Sequence, residues 1–230
     1  MNEFEYIDRN LEIIRAKAED AAKVSPHKQS FDILLATKYA SAEEINYAHS
    51  KGINKIGENR VQSLLEKYDR LNKDDLDIHF IGTLQKNKVK YIIDKVSMIE
   101  SLDSVELAKE IEKQAAKRDI VMDCLIEVNI GDEEAKSGIS KQEVLAFADE
   151  LDSFPHIRLC GLMTMAPKCE KIDEYRKYFR ESYDIFIDIC EKKLHNVDRR
   201  ILSMGMSESF DAALMEGANL IRVGRAAFAK

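Results

Sequence analysis

Hydrophobic and polar positions along this chain follow two periods, which alternate from one segment to the next. Apolar side chains recur every three or four positions from Phe4 to Ala18, with charged residues between them. This spacing predicts an amphipathic helix over residues 2–23. The segment from Phe31 to Lys38 is instead a short apolar run that ends on a lysine, and such a run predicts a buried strand.

Strand patterns and helix patterns alternate along the rest of the chain. Helices are predicted over residues 42–50, 60–71, 86–94, 104–116, 140–151, 172–193 and 208–216, and further strands over 53–57, 78–82, 96–100, 121–130, 157–163, 200–204 and 219–223. A capping box of Ser140 and Glu143 is predicted to open the helix over 140–151. Eight strand–helix alternations without a strand–strand hairpin indicate a parallel sheet with right-handed crossovers. Their number and length favour an α/β fold of the (β/α)8 TIM barrel type. Residues 1–230 are expected to form a single domain, in which the additional N-terminal helix covers the place of a short eighth helix.

Composition narrows the classes of protein to which this chain can belong. The net charge of −7 and the pI of about 5.4 argue against nucleic-acid binding, which needs a concentrated basic face. No apolar stretch approaches the length of a membrane span. The four cysteines lie far apart without metal-ligand spacing. Reduced thiols in a cytoplasmic protein are therefore expected.

Lys38 occupies a predicted strand-to-helix turn, because Ser41 and Glu44 form a capping box directly after it. Ligands of α/β folds bind at this carboxyl edge of the strands. The alternative is that Lys38 is only a solvated strand end.

The last two predicted strands run into loops that are suited to an anion. Ser203 and Ser207 precede a helix, and Gly224 with Arg225 follows the final strand. In many barrels these two loops bind a phosphate group through backbone N–H groups and a helix dipole. The alternative is that Ser207 only caps its helix and Gly224 only ends its strand.

Arg222 is expected to point into the barrel mouth, because strand alternation places Ile221 and Val223 on the helix-facing side. A buried guanidinium needs a partner, which a carboxylate such as Glu127 or a ligand acceptor could supply. A lysine, a phosphate pocket and an inward arginine together suggest pyridoxal 5′-phosphate (PLP), held as a Schiff base on Lys38. A phosphosugar aldolase that uses Lys38 without a cofactor, and a scaffold without a ligand, stay open as alternatives.

Seven segments of the chain together resemble the pyridoxal phosphate homeostasis protein family, whose members are also described as alanine racemase N-terminal domain-like proteins. The segments are residues 34–38 (LLATK), 57–60 (GENR), 79–88 (HFIGTLQKNK), 136–138 (KSG), 161–167 (GLMTMAP), 202–207 (LSMGMS) and 222–225 (RVGR). The resemblance extends from about residue 30 to the C-terminus. It implies a PLP-binding barrel of fold type III with the cofactor on Lys38.

The resemblance also implies roles for further residues. Phosphate contacts are expected around Ser203, Ser207, Gly224 and Arg225, Arg222 beside the pyridine nitrogen, and Asn59, Met206 and either Met163 or Thr164 lining the mouth. Arg225 stands where many members have threonine.

The function that the resemblance implies is intracellular PLP homeostasis, with an indirect effect on the balance of amino acids and keto acids. Such a carrier has no catalytic residue, and PLP-dependent apoenzymes are its possible recipients. A monomer is expected, since no exposed apolar stripe stands out. The alternative is a small PLP-dependent amino-acid racemase, with Lys38 as base and Tyr39 or His79 as its counterpart.

Overall fold

The strands close into a barrel in which each pairs with its neighbours in the parallel direction. The computed structural model describes residues 3–133, 137–192 and 201–230. Its strands are β1 (Asp32–Ala36), β2 (Lys55–Glu58), β3 (Asp77–Phe80), β4 (Met98–Leu102), β5 (Met122–Asn129), β6 (Ile139–Ser140), β7 (Ile157–Thr164), β8 (Ile201–Ser203) and β9 (Leu220–Val223). The barrel order is β1-β2-β3-β4-β5-β7-β8-β9, and β9 pairs again with β1. The two-residue β6 lies beside β5, outside this ring of eight strands. The predicted TIM barrel is confirmed.

Helices follow the strands and form the outer layer of the barrel. They are α1 (Glu5–Val24), α2 (Ala42–Ser50), α3 (Val61–Tyr68), α4 (Val89–Ile92), α5 (Val105–Ala116), α6 (Val144–Leu151), α7 (Ile172–Glu191), α8 (Phe210–Met215) and α9 (Arg225–Phe228). A 3₁₀ turn, Lys86–Lys88, precedes α4, so the predicted helix over 86–94 is shorter and of mixed type. Positions 2, 136, 193 and 200, which were included in predicted segments, lie outside the described residues.

The capping box at Ser41 is present, whereas the one predicted at Ser140 is wrong. Ser41 Oγ accepts a hydrogen bond from the Glu44 backbone N–H, and the Glu44 carboxylate accepts one from the Ser41 N–H. Ser140 instead pairs with Asn129 as the end of β6, and its helix begins at Val144. The reason is that β5 extends far enough to pair with β6, and this pairing holds Ser140 in extended backbone.

α1 closes the outer layer beside the end of the chain, as expected for the additional N-terminal helix. It buries Ile7, Leu11, Ile14, Ala18 and Ala21 and packs against α8 and α9. Asn10 Nδ2 donates hydrogen bonds to the carbonyl oxygens of Ala227 at 3.2 Å and Ala229 at 2.8 Å. Burying each large aliphatic side chain contributes about 1.5–3 kcal/mol, so α1 is a substantial part of the fold.

The two sides of the barrel wall differ in chemistry. Strand residues that face the helices are apolar and form the largest core cluster, which includes Leu35, Phe80 and Ile221. The interior contains two smaller apolar groups, one around Leu34 and the other around Met98. Above these groups the interior becomes charged, which is the feature that positions the site.

The amino-terminal end of the barrel contains a cavity of about 480 Å³ whose charges compensate one another. Lys55 Nζ lies 2.8 Å from Asp77 Oδ2 and 3.7 Å from Asp32 Oδ2. Arg158 Nε lies 2.6 Å from Asp123 Oδ1.

Within the described ranges, no helix is long and apolar enough to cross a membrane.

Gly161 in β7 provides a test of how closely the strands of this barrel approach. Its φ is +139°, and a Cβ built there would lie 2.0 Å from the Ile201 carbonyl oxygen. Gly52 also has a positive φ of +85°, but a Cβ there would meet only the end of Arg15 at 3.7 Å.

We expect Gly52→Ala to cost about 1–2 kcal/mol of unfolding free energy through its backbone conformation alone. Gly161→Ala should cost about 1–3 kcal/mol more, because it also forces β7 and β8 apart. Urea unfolding of both variants measures the difference, and equal losses would contradict this account.

Candidate functional site

Lys38 lies at the carboxyl edge of the barrel, two residues beyond the end of β1. Leu34 and Ala36 face the interior, and Lys38 lies in the turn that follows them. Its side chain is exposed, and Nζ lies 4.9 Å from the centre of the Tyr39 ring. Among the described residues, Lys38 forms no ion pair with a carboxylate. Its amine is therefore accessible from the mouth.

The loops after β8 and β9, the seventh and eighth strands of the ring, meet at the same edge. The Gly224 backbone N–H donates to Ser207 Oγ at 3.3 Å and so connects the two loops. A Cβ at Gly224 would lie 3.2 Å from the Ala36 carbonyl oxygen, which shows how closely the last loop approaches the end of β1. Gly224 precedes α9, where the Ala227 N–H donates to the Gly224 carbonyl oxygen at 3.0 Å, while the N–H groups of Arg225 and Ala226 have no acceptor within the helix. These donors can bind an anion.

Positive charge gathers at this edge although the whole chain is acidic. A hydrogen bond with Lys38 lowers the pKa of the Tyr39 hydroxyl, and the charges of Lys38, Arg60 and Arg225 lower it further. Arg225 is itself exposed, and its Nη2 lies 3.1 Å from Glu208 Oε1. The mouth therefore has the electrostatic character that a phosphorylated ligand requires.

Arg222 lies inside the barrel wall, as strand alternation predicted, and is only 4% exposed. Its Nη1 donates to Ser203 Oγ at 2.7 Å, and its Nη2 donates to the Thr164 carbonyl oxygen at 2.8 Å. Burial lowers its pKa, while the charges of Glu100 and Glu127 raise it. An arginine remains protonated under such conditions, so the guanidinium is a fixed cation beneath the mouth.

Glu100 supplies the opposing charge, and sequence reasoning missed it. Ser203 Oγ donates to Glu100 Oε2 at 2.6 Å, and Glu100 Oε1 lies 2.6 Å from His79 Nδ1. Burial alone would raise the pKa of this carboxyl group, but the hydrogen bond with His79 and the charges of His79 and Arg222 lower it. Glu100 is therefore ionised. We call the four residues Arg222, Ser203, Glu100 and His79 the interior network.

Glu127, which the sequence suggested as a partner of Arg222, forms no hydrogen bond with it in the described structure. Its Oε1 accepts a hydrogen bond from Ser137 Oγ at 2.7 Å. Burial raises the pKa of Glu127, and the nearby charge of Asp103 raises it further. The guanidinium is instead satisfied by a hydroxyl and a backbone carbonyl oxygen. Glu127 acts on Arg222 only through its charge.

The other predicted residues lie at different depths. Met206 is 43% exposed at the rim, whereas Met163 belongs to the apolar interior below the mouth. Thr164 is fully buried, and its carbonyl oxygen is occupied by Arg222. Asn59 is half-buried at the end of β2. Ser203 lies within the interior network, so its hydroxyl joins Arg222 to Glu100 instead of facing the loops at the rim.

The two residues proposed as counterparts of Lys38 in a racemase also lie in different places. Tyr39 is adjacent to Lys38 on the rim and is 80% exposed. His79 is buried in β3 and forms part of the interior network. The described arrangement therefore combines an accessible amine, an anion-binding edge and a buried cation. Such a site can hold an anionic aldehyde by one covalent bond and by its phosphate group.

Comparison with known proteins places this arrangement in a family. The family model for the alanine racemase N-terminal domain matches residues 5–229. The pyridoxal phosphate homeostasis protein of Aquifex aeolicus is 40% identical over 228 residues, which are 99% of this chain and 98% of that protein. PipY of Synechococcus elongatus, in its solved structure with PLP bound, is 26% identical with a TM-score of 0.80, over 96% of this chain and 99% of that one. Alanine racemase of Clostridium difficile matches in fold, with 15% identity and a TM-score of 0.72, over 97% of this chain and 56% of that one.

Glu100→Gln is expected to destabilise the fold, because it leaves the buried Arg222 without its counter-charge. Removing one partner of a buried charge pair costs about 3–5 kcal/mol. Glu112→Gln is the matched control, since Glu112 Oε1 also lies 2.6 Å from a histidine Nδ1, that of His156, but in a partly exposed pair. The control should cost less than about 1 kcal/mol. Urea unfolding at neutral pH measures both losses, and similar values would show that the interior network contributes no special stability.

The stability contributed by Glu100 should depend on pH in one direction. The pKa of Glu100 in the folded protein is lowered from 4.5. The ionised form therefore stabilises the fold fully at pH values above the pKa that Glu100 has in the unfolded chain. This stabilisation is lost as the pH falls through the folded pKa. The difference in unfolding free energy between the parent protein and Glu100→Gln should therefore shrink in acid. A difference that grows in acid would contradict the assigned charge.

Proposed function

Because this chain belongs to the alanine racemase N-terminal domain family, we propose that it binds pyridoxal 5′-phosphate reversibly on Lys38 and acts in PLP homeostasis. The observation that carries the proposal is that Lys38 and the Ser207/Gly224 loops lie at one edge of the barrel, above a buried arginine. An aldehyde, a phosphate group and a ring nitrogen need these three partners in one place.

The residues present fit this cofactor. The N–H groups at the start of α9 and the Ser207 hydroxyl suit its phosphate group, and the close approach of Gly224 to Ala36 leaves little room for a side chain between them. Lys38, Arg60 and Arg225 attract the anion to the mouth. Arg222, held by Ser203 and Thr164, is the group proposed to face the ring nitrogen.

When bound, the cofactor supplies an aldehyde that condenses with a primary amine. The Lys38 nitrogen forms the C=N bond of a Schiff base, and the aldehyde oxygen leaves as water with the two protons of the amine. Lys38 must be unprotonated to begin this step. The same water-accessible position allows hydrolysis, and hence release.

The proposed role is to limit the free aldehyde and to supply PLP to apoenzymes, with an indirect effect on amino-acid and keto-acid pools. The A. aeolicus relative, which matches over nearly its whole length, has a name that supports this role. We further propose that the protein acts as a monomer in the cytoplasm. The four cysteines, which are free in the structure, suit a reducing compartment.

Substitution of Lys38 tests the proposal directly. Protein incubated with pyridoxal 5′-phosphate should show a visible absorption band, and Lys38→Ala should lose it. Lys51→Ala is the matched control, because Lys51 Nζ also lies 4.9 Å from a tyrosine ring, that of Tyr47, but at the end of α2. The control should keep the band. Borohydride reduction and peptide mapping should then find the pyridoxyl group on Lys38, and a label on another lysine or no label would refute the proposal.

A further inference from the structure

The turn that contains Lys38 is held from the helix-facing side of the barrel by two buried charged residues, Glu58 and Lys67. We propose that these two are positioning residues for Lys38, which fix the turn so that the amine enters the mouth in one orientation. The inference rests on the proposed function, and it assigns a role to the Gly57-Glu58-Asn59-Arg60 segment that cofactor contacts alone leave unexplained. Neither residue is a ligand of the cofactor.

Lys67, on α3, binds both sides of the turn at once. Its Nζ donates to the Thr37 carbonyl oxygen at 2.9 Å and to the Ala40 carbonyl oxygen at 3.2 Å. The third hydrogen bond of the ammonium group goes to Glu58 Oε1. The residues between the two bound carbonyl groups are Lys38 and Tyr39. One ammonium group therefore bridges the segment that presents the proposed Schiff-base lysine.

Glu58 completes this arrangement at the end of β2. Its Oε1 accepts a hydrogen bond from Thr37 Oγ1 at 2.7 Å, so the carboxylate holds the residue before Lys38 as well as Lys67. The Glu58 and Lys67 side chains are only 1% and 12% exposed. Glu58 Oε2 is buried without a hydrogen-bond partner in the described part of the chain. We call Thr37, Glu58 and Lys67 the exterior clamp.

Strand alternation separates the exterior clamp from the mouth. Leu35 belongs to the apolar layer under the helices, and Thr37, directly after β1, meets Glu58 on that same side. Ala36 faces the interior, where the proposed function places the Lys38 amine. The exterior clamp therefore lies behind the wall and can affect a ligand only through the backbone of Lys38.

The residue types suit this task better than their obvious replacements. A lysine ammonium group presents three donors from one nitrogen, which matches two carbonyl groups and one carboxylate converging on one point. The planar guanidinium of an arginine spreads its donors over a fork and cannot do the same. A buried carboxylate left alone would be costly, so Glu58 and Lys67 depend on each other.

Loss of the exterior clamp should affect binding because the Schiff base requires the amine at a defined position. Small displacements of a reacting group can cost roughly 100-fold. The control is Lys55→Met, because Lys55 is also a partly buried lysine paired with an acid, Asp77, at 2.8 Å. That pair lies at the opposite end of the barrel and donates to no carbonyl group of the Lys38 turn. Lys55→Met therefore removes a partly buried charge pair without changing any contact of the Lys38 turn.

The experiment compares Lys67→Met, Lys67→Arg and Lys55→Met with the parent protein. Absorbance titration with pyridoxal 5′-phosphate gives the dissociation constant, and a pH titration of the visible band gives the pKa of the Schiff base. In protein without cofactor, reductive ¹³C-methylation and NMR report the environment of Lys38 independently. We expect Lys67→Met to weaken binding by roughly 10-fold or more and to shift both the Schiff-base pKa and the Lys38 NMR signal. Lys67→Arg should fall between Lys67→Met and the parent, and Lys55→Met should match the parent.

The outcomes separate this inference from the proposed function. A parent protein that forms no Schiff base refutes the proposed function. A parent that forms one, together with a folded Lys67→Met variant whose binding, pKa and NMR signal match those of the parent, refutes the inference alone. If Lys67→Met does not fold, Lys67→Arg decides: unchanged binding and spectra overturn the inference, and altered ones with a native circular dichroism spectrum support it.

Discussion

Closure of the barrel between its first and last strands is the constraint on which the site depends. Leu34 pairs with Arg222 and Leu35 with Val223, so residues from both ends of the chain share one register. Bringing such distant segments together costs loop-closure entropy, which burial along the seam and under α1 offsets. Without this pairing, the positions of Lys38 and Gly224 relative to each other would not be fixed. The proposed covalent and phosphate-binding parts of the site thus depend on a single strand pair.

The barrel wall next to the β1–β9 pair contains two groups of buried charged residues, and the two groups have separate roles. The interior network fixes Arg222 under the mouth through Ser203 and Glu100. The exterior clamp fixes the backbone around Lys38 from behind. The carboxylates of these two systems, Glu100 and Glu58, are each accompanied by a cation, which is the condition under which buried charges are tolerated. A barrel wall with only aliphatic side chains on both of its faces would be as compact, but it would leave the orientation of the arginine and of the Lys38 turn unspecified.

The sequence predicted the barrel well because each strand and helix has a clear period and short connections. It also predicted that Arg222 points inward, since alternation is a local property. It could not predict that Ser203 and Glu100 would complete the interior network, because they lie on β8 and β4 and meet only across the closed barrel. A polar residue within a predicted strand was the one available signal for Glu100. The false capping box at Ser140 has a related origin, since it is the pairing of Ser140 with Asn129 of β5, and not the local residue pattern, that sets the backbone there.

Under the proposed function, the cation beneath the mouth is expected to make the ring of a bound cofactor a weak electron sink. A fixed cation at Arg222 opposes protonation of a ring nitrogen placed beside it, and an unprotonated pyridine ring withdraws electrons less strongly. The anion that could reverse this effect, Glu100, has its two oxygens engaged by His79 and Ser203. The buried histidine is likewise committed to that carboxylate. The ionisable groups of the interior network therefore orient a single cation, Arg222, and this arrangement suits reversible binding of a reactive aldehyde.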